Sequence, residues 1–481
     1  MFRCSLILAI ASIAGHAVAG DSGMADVDFL LLGNRGTVKR ITFAVEIDGK
    51  PHSAVWDDAL AELMTYYDDD RNGELSPAEA KRLPAPFMLR QTLWNPVSQF
   101  GRGIPSTKDL DADGDERITR RELVGWYRER GVGGVTVGAG LAPSSAALTS
   151  AILQVLDLDH NQAVSAAEWK NAPAALSALD VNSDEMISPQ ELLPRLNYPG
   201  TSGAHLWGPI KPLTDQHSVI RDLPLRLAAQ LMDVELNIPT ESSRKQEVTA
   251  DAHTLRVNLS RSSPPTTATV AADDVRVSIR SDEGVLRQRI ETAARRLRTR
   301  FQAADADSDS CSDAAETKRK DQADLRALVD AADHYRDGRI TVEELNTWIK
   351  LQEKLAAGQV LITILDFRRG VFEILDANAD GRLSPRELGS TEENVQEFYK
   401  EHPDTFDPAS VPRQVRVIIS RGRPQTVLVA VRHDAPEWFR AMDRNQDGDV
   451  SSREFIGDPT AFQRLDRDGD RLISPDEIDQ H

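Results

Sequence analysis

The sequence predicts an α+β chain, in which repeated helix-loop-helix units form two groups joined by small β segments. Three observations support this prediction. A 12-residue acidic pattern recurs along the chain, apolar stripes with helical spacing flank several copies, and runs of alternating apolar residues lie between the copies. Of the 481 residues, 40% are hydrophobic and only 5% aromatic, so we expect small aliphatic cores.

Residues 1–19 have the features of a secretory signal peptide. Arg3 gives a basic start, Leu6 to Ala14 form an apolar stretch, and Ala17-Val18-Ala19 resembles a cleavage site. The stretch is short for a membrane span, and no later segment approaches the roughly 20 apolar residues needed. Cleavage would leave Cys311 as the one cysteine, so a disulfide within the chain is excluded. We therefore predict a secreted or periplasmic protein without a membrane span.

The formal net charge is −19, which argues against nucleic acid or an anionic membrane surface as a partner. An acidic balance fits either a solvated surface or a store of cation-binding carboxylates. The positions of the carboxylates decide between the two.

Three loops carry the acidic pattern in full. Oxygen-bearing side chains stand at positions 1, 3, 5 and 9, glycine at 6, an aliphatic residue at 8 and glutamate at 12. Position 7 would contribute its backbone carbonyl. The predicted metal ligands are Asp68, Asp70, Asn72, Glu74 and Glu79; Asp376, Asn378, Asp380, Arg382 and Glu387; and Asp443, Asn445, Asp447, Asp449 and Glu454.

This pattern suits calcium, which takes six to eight hard oxygen ligands and can be wrapped by alternate side chains of a short loop. Glycine at position 6 permits the positive φ of the turn. The loops and their flanking helices resemble the EF-hand calcium-binding superfamily. The string from Trp438 to Gly448 is also similar to exported bacterial proteins with many EF-hands, which implies calcium binding and export but no particular biological role.

Four more loops keep the acids but lack the glycine. Their sixth residues are Glu116, Gln162, Glu185 and Arg471. A residue with a side chain costs roughly 1–2 kcal/mol in the left-handed region, so we expect weakened loops rather than inactive ones. Their predicted ligands are Asp111, Asp113, Asp115, Arg117 and Glu122; Asp157, Asp159, Asn161 and Glu168; Asp180, Asn182, Asp184 and Glu191; and Asp466, Asp468, Asp470, Leu472 and Glu477.

Two further loops, 305–316 and 333–344, are degenerate. Ser312 replaces the aliphatic residue of the first loop, and Tyr335 occupies a ligand position of the second, so binding stays open at both. The Ser/Thr-x-x-Glu ending of the loops is also a helix capping box. Capping alone does not require acids at alternate positions beforehand, so we favour calcium binding.

The spacing of the loops suggests a duplicated arrangement. Loops 157 and 180 form one closely spaced pair and loops 443 and 466 another, with loop 305 as an extra. We divide the chain into a signal peptide at 1–19, an N-terminal loop region at 20–200, a linker and β-rich region at 201–283, and a C-terminal loop region at 284–481.

Helices and strands follow from the apolar periodicity. Leu286, Ile290, Leu297 and Phe301 predict a helix whose arginine-rich face is either solvated, which we favour, or resembles a calmodulin target. We read 199–203 as a linker and 260–269 as a loop. The predicted strands are 41–47, 234–238, 255–259, 275–279, 361–365, 415–419 and 427–431.

The sequence therefore predicts an exported calcium-binding protein with a structural or protein-interaction role and an unidentified protein partner. A calcium-responsive sensor or regulator is the alternative, although the few methionines are scattered. An enzyme with accessory calcium domains is less favoured. The sequence has no His-Glu-x-x-His, Gly-x-Ser-x-Gly or phosphate-loop motif, so we do not expect catalysis.

Overall fold

The computed structural model describes most of the chain outside the first 37 residues and the 213–250 segment. The described residues are 7–11, 27–32, 38–86, 89, 107–129, 135–141, 144–194, 196, 198, 211–212, 251–259, 267–272, 274–307, 309–313, 316, 332–396, 398, 405–429 and 435–478. Among them, the helices are all too short or too polar to cross a lipid bilayer.

Helices lie on both sides of most acidic loops, and several are only one turn long. They are α1 His52–Tyr67, α2 Pro77–Ala80, α3 Thr107–Leu110, α4 Arg120–Glu129, α5 Ser144–Leu156, α6 Ala166–Lys170, α7 Ala172–Ser177, α8 Pro189–Leu192, α9 Leu286–Ala304, α10 Val342–Ala357, α11 Phe372–Leu375, α12 Pro385–Gly389, α13 Thr391–Gln396, α14 Glu437–Met442, α15 Pro459–Leu465 and α16 Pro475–Ile478.

The strands form two larger sheets and two ribbons of two-residue strands. They are β1 Ile7–Ala11, β2 Val27–Leu32, β3 Val38–Ile47, β4 Lys50–Pro51, β5 Val135–Leu141, β6 Lys211–Pro212, β7 Asp251–Asn258, β8 Thr267–Ala272, β9 Val275–Asp282, β10 Cys311–Ser312, β11 Ile340–Thr341, β12 Val360–Arg368, β13 Arg413–Ser420, β14 Val450–Ser451 and β15 Leu472–Ile473.

The six-stranded sheet has the order β6-β5-β12-β13-β9-β8. Its central strands β12 and β13 are antiparallel, with Ile364 opposite Val417, whereas β5 runs parallel to β12 and β9 parallel to β13. Strand β12 is buried along nearly its whole length and is apolar at most positions. Such a continuous apolar run is typical of a strand covered on both faces.

One face of this sheet meets the second sheet. The second sheet has the path β1-β2-β3-β4, with β7 parallel to β3. Side chains of both sheets share one core that includes Phe43, Val257, Ile279, Ile362 and Val417. Alternation along the strands places these residues on the inward faces. This core brings together residues far apart in sequence, from Ile41 to Ile419.

The opposite face of β12 and β13 is covered by short helices. Leu365, Phe367 and Ile418 share a core with residues of α5, α7 and α11. A further core joins α1, α4, α9 and α10, and the helix pairs α1–α10 and α9–α10 are in contact. The loops 443–454 and 466–477 have a small core of their own, built around Phe439, Val450 and Ile473.

The predicted α+β character and most predicted strands and helices are confirmed. The strands within 41–47, 275–279, 361–365 and 415–419 form, and 255–258 lies in β7. Helix α9 buries its predicted stripe of Leu286, Ile290, Leu297 and Phe301. Strand β1 lies inside the predicted signal peptide and pairs with β2.

Other assignments need correction. Residues 427–429 form no strand, because the amide of Val429 bonds to the carbonyl of Ala379 and the segment lies over loop 376–387. The predicted loop 260–269 contributes Thr267–Thr269 to β8. Strand β5 was missed because glycines interrupt its alternation. The predicted strand 234–238, the linker 199–203 and residue 431 lie outside the described residues.

The pairing of the loops also differs from the predicted duplication. Position 8 of each paired loop forms a short β contact with its partner: Leu75 with Ile118, Ile187 with Leu383, Ser312 with Ile340, and Val450 with Ile473. Loop 180 therefore pairs with loop 376 rather than with loop 157, and loop 305 pairs with loop 333 instead of standing apart. In loop 157, the carbonyl of Val164 accepts from the amide of Phe406.

Candidate metal centres

Backbone amides organise the carboxylates at both ends of each loop, as loop 68–79 illustrates. Asp68 accepts the N–H groups of Asn72 and Gly73 at 3.2 and 2.9 Å. Glu79 accepts the N–H of Asp69 through Oε1 and that of Ser76 through Oε2, both at 2.8 Å. Because these amides hold both carboxylates in place, hydrogen bonds within the chain already join the end of the loop to its start. The same bonds recur in loop 157–168. They recur in loop 466–477 too, except that the amide of Gly469 takes the place of the position-5 amide at Asp466.

The last glutamate of a loop can form a capping box and make a second contact within the loop. Five loops, including the degenerate 333–344, end in a complete capping box, formed by Ser76 and Glu79, Ser165 and Glu168, Ser188 and Glu191, Thr341 and Glu344, and Ser384 and Glu387. In each case the other carboxylate oxygen reaches back to an amide at the start of the loop. A pure capping interaction does not need that second contact.

In five loops the carboxylates at positions 1, 3 and 12 gather closely enough to share one ion, with ligand oxygens within 4.8 Å of one another. These are the predicted residues Asp68, Asp70 and Glu79; Asp111, Asp113 and Glu122; Asp157, Asp159 and Glu168; and Asp466, Asp468 and Glu477, together with Asp305, Asp307 and Glu316 of the degenerate loop. In loops 180, 376 and 443 position 3 is asparagine, which contributes an amide oxygen instead.

Position 6 has the backbone conformation that the pattern predicts. Glycines 73, 381 and 448 have φ of 87°, 84° and 96°. The four substituted loops adopt the same conformation without glycine, with φ of 63° at Glu116, 69° at Gln162, 67° at Glu185 and 72° at Arg471. The substitutions therefore leave the loop shape intact. Their free-energy cost is local backbone strain at position 6.

The loops differ in how deeply their carboxylates are buried. In loop 376–387, Asp376 is 2% exposed and Glu387 6%. Burial raises the pKa of Asp376 well above its usual range, although nearby Arg416 opposes the rise. Burial also raises the pKa of Glu387, and in loop 443–454 it raises the pKa of Asp447 to about 7. Desolvation disfavours the charged form in each case.

Loops 68–79 and 111–122, which we call the outer loops, show the opposite shift. Glu79 is also only 6% exposed, and burial would raise its pKa, but hydrogen bonds from Ser76 and Asp69 outweigh this effect and lower the pKa below its usual value. The pKa of Glu122 is lowered in the same way, with Thr119 as the main donor residue against partial burial. These carboxylates stay charged because backbone amides already stabilise them.

The donor set fits a hard divalent cation. Each loop presents carboxylate and carbonyl oxygens, to which several loops add an asparagine amide oxygen, and the pattern calls for no nitrogen or sulfur ligand, as calcium prefers. Three buried carboxylate oxygens at loop positions, Asp333 Oδ1, Asp376 Oδ1 and Asp380 Oδ2, have no hydrogen-bond donor among the described residues. A buried oxygen of this kind is costly unless a cation or donor meets it. In loop 333–344, however, Tyr335 is 68% exposed and leaves position 3 without an oxygen ligand.

Sequence reasoning missed the contacts between different loop pairs. Arg382 donates to the backbone carbonyl of Asn445 at 2.9 Å, and the Asn445 amide donates to the carbonyl of Asp184 at 3.1 Å. Glu185 accepts from Ser451 and pairs with Arg453. Loops 180, 376, 443 and 466 are therefore joined, and we call them the four-loop cluster. In the sequence, only the arginines at variable loop positions point to such contacts between loop pairs.

The EF-hand family matches the chain at two places, residues 367–390 and 437–456. These segments contain loops 376–387 and 443–454, two of the three loops with the full pattern. The matches support membership of these segments in the EF-hand superfamily and calcium as their ion. No curated protein and no solved structure matches the chain.

Proposed function

We propose that this is an exported, non-enzymatic protein in which calcium holds distant segments together for a structural or protein-interaction role. The observation that carries the proposal is the pairing of loop 180 with loop 376. The amide of Ile187 donates to the carbonyl of Leu383 and the amide of Leu383 to that of Ile187, both at 2.9 Å. An ion in either loop would therefore stabilise a contact between segments far apart in sequence.

The residues that would hold calcium are the acids at positions 1, 3, 5 and 12 of the loops, with the carbonyl at position 7. Bound calcium supplies positive charge to carboxylates that otherwise repel one another. In loop 376–387 the chain's own contribution is to bury Asp376 and leave its Oδ1 without a donor. In loop 68–79 backbone amides donate to the acids as well, and there they outweigh burial and keep the pKa of Glu79 low. Calcium would therefore stabilise loop 376–387 more than loop 68–79.

Export, which the N-terminal sequence predicts, would favour a structural role. Outside the cytoplasm calcium is abundant, so affinities of about 10⁻⁴–10⁻³ M suffice to fill sites. N-terminal sequencing of the exported protein should show a chain that begins near Gly20. Retention of Met1 on the exported protein would contradict cleavage of the proposed signal peptide.

The direct test is to count bound calcium by native mass spectrometry and to compare thermal unfolding in calcium with unfolding after calcium depletion. We expect several bound ions and a large upward shift of the melting temperature, with magnesium at equal concentration as the control. An apolar fluorescent dye separates this role from a sensor. Dye binding should fall on calcium addition, whereas a sensor would expose apolar surface and bind more dye. No bound calcium would refute the proposal.

A further inference from the structure

Arg386, at position 11 of loop 376–387, leaves its own loop and enters the neighbouring pair. Its Nε lies 2.6 Å from Asp449 Oδ2 and its Nη2 2.9 Å from Asp449 Oδ1, so one carboxylate receives two parallel hydrogen bonds. Its Nη1 lies 3.2 Å from Asp470 Oδ2. Asp449 belongs to loop 443–454 and Asp470 to loop 466–477. One guanidinium therefore contacts both loops of the C-terminal pair.

The surroundings of this guanidinium are acidic and partly dehydrated. The side chain of Asp449 is 7% exposed and that of Asp470 33%, while Arg386 itself is 40% exposed. Hydrogen bonds to Asp449 raise the pKa of Arg386, and the charges of Asp470 and Asp468 add to the rise. A bidentate arginine–carboxylate pair with low exposure is stronger than a typical surface pair.

Asp470 is the residue that both the Arg386 guanidinium and a calcium ion in loop 466–477 would contact. It stands at position 5 of loop 466–477, where the pattern predicts a calcium ligand. Its Oδ1 accepts the amide of Leu472 at 2.8 Å, whereas Oδ2 faces a cation of the chain itself. That oxygen is the one Arg386 contacts. A calcium ion bound there would share its ligand with a positive charge.

We propose that Arg386 is a built-in cation that stands in for calcium in the C-terminal pair. In the calcium-free protein it holds loops 443 and 466 against loop 376, and when calcium is present it opposes binding at Asp470. It is a positioning residue, since it acts through Asp449 and Asp470 and is not itself a ligand. This inference rests on the proposed calcium function.

Removing this arginine should leave the fold intact, because other contacts join the same loops. Arg382 bonds to the Asn445 carbonyl, Asn445 bonds to the Asp184 carbonyl, and Glu185 pairs with Arg453. Arg453 is a matched control. It also bridges two loops of the cluster, but its partner Glu185 stands at position 6, which is not a ligand position, and its side chain is 72% exposed.

The test is calorimetric calcium titration of the calcium-depleted full chain carrying Arg386→Gln, compared with Arg453→Gln. A unit charge about 6 Å from a divalent ion changes binding roughly tenfold even in water-like surroundings, so Arg386→Gln should bind calcium about tenfold more tightly at one or two sites. Arg453→Gln should change affinity less than about twofold. Without calcium, Arg386→Gln should melt at a lower temperature than the unmodified protein, and this deficit should shrink in calcium.

A second background assigns the gain to loop 466. In chains that already carry Glu477→Gln, adding Arg386→Gln should give a much smaller gain in affinity, because the two changes act on one site. Unchanged or weaker calcium binding in Arg386→Gln would overturn the inference, since structural damage alone cannot tighten binding. An equal gain in Arg453→Gln would also overturn it. If the unmodified protein binds no calcium, the proposed function falls as well.

Discussion

Loops 111–122 and 376–387 follow one sequence pattern but lie in opposite environments. In the first loop Asp113 and Asp115 are exposed and Glu122 has a lowered pKa, with hydrogen bonds from Thr119 outweighing partial burial. In the second, Asp376 and Glu387 are buried and their pKa values are raised by desolvation. The comparison indicates that a shared ligand pattern need not give a shared dependence on metal. We expect loop 376–387 to depend on a cation more than loop 111–122, because burial disfavours the charged forms of Asp376 and Glu387.

The largest expected effect is on how the calcium-free stability of the protein depends on pH through the buried acid of loop 443–454. Burial raises the pKa of Asp447 to about 7, whereas an unfolded aspartate titrates near 4. Its protonated form is favoured in the folded state, so its contribution to calcium-free stability is complete below about pH 4 and is lost as the pH rises to about 7. The loss is as much as about 4 kcal/mol, at 1.36 kcal/mol per unit.

Denaturant unfolding of the calcium-depleted protein at pH 5 and pH 7.5 measures the part of this loss that falls above pH 5, about 2.7 kcal/mol at 1.36 kcal/mol per pKa unit. Asp447→Asn should remove this part, and the decrease that stays should come from groups such as Asp376 and Glu387, whose pKa values burial also raises. Glu79 and Glu122 contribute in the opposite direction, because their lowered pKa values add stability above the unfolded value that is lost on acidification. A decrease of the same size in Asp447→Asn would show that this residue is not its source.

A smaller effect separates the two loops by substitution at position 1. Asp376→Asn should raise stability without calcium, because it removes a carboxyl group whose charged form burial disfavours, and should lower the stabilisation by calcium. A site at 100 times its dissociation constant contributes about 2.7 kcal/mol, which sets the scale of that loss. Asp111→Asn should reduce calcium stabilisation without raising calcium-free stability. Thermal unfolding of both variants, with and without calcium, measures these changes. Equal responses of the two variants would contradict the proposed difference between the loops.

The smallest effect concerns position 6, where Glu116 and Glu185 have φ of 63° and 67°. Glu116→Gly should stabilise the protein by about 1 kcal/mol, because glycine relieves the left-handed strain. Glu185→Gly should give less or no gain, since Glu185 also accepts from Ser451 and pairs with Arg453. Equal gains in the two variants, measured by denaturant unfolding, would show that these contacts contribute nothing.

The sequence was sufficient for the local structure and insufficient for the long-range pairing. The positions of Asp68, Gly73 and Glu79 were predictable because each has a fixed role within one 12-residue loop. Strand β12 was predictable from its apolar run. The partner of Ile187 was not, because the aliphatic residue at position 8 is alike in every complete loop and only tertiary packing selects Leu383. The burial of Asp376 likewise depends on β13 and its Arg416, which no local pattern reveals.

The central claim is that calcium fixes contacts between distant segments, and amide hydrogen exchange at one such contact tests it most directly. The amides of Ile187 and Leu383 bond to each other's carbonyls, while Ile362 lies in the central sheet. Calcium should slow exchange at Ile187 and Leu383 together and by the same factor, and should change Ile362 far less. Equal exchange rates at Ile187 and Leu383 with and without calcium would contradict the claim.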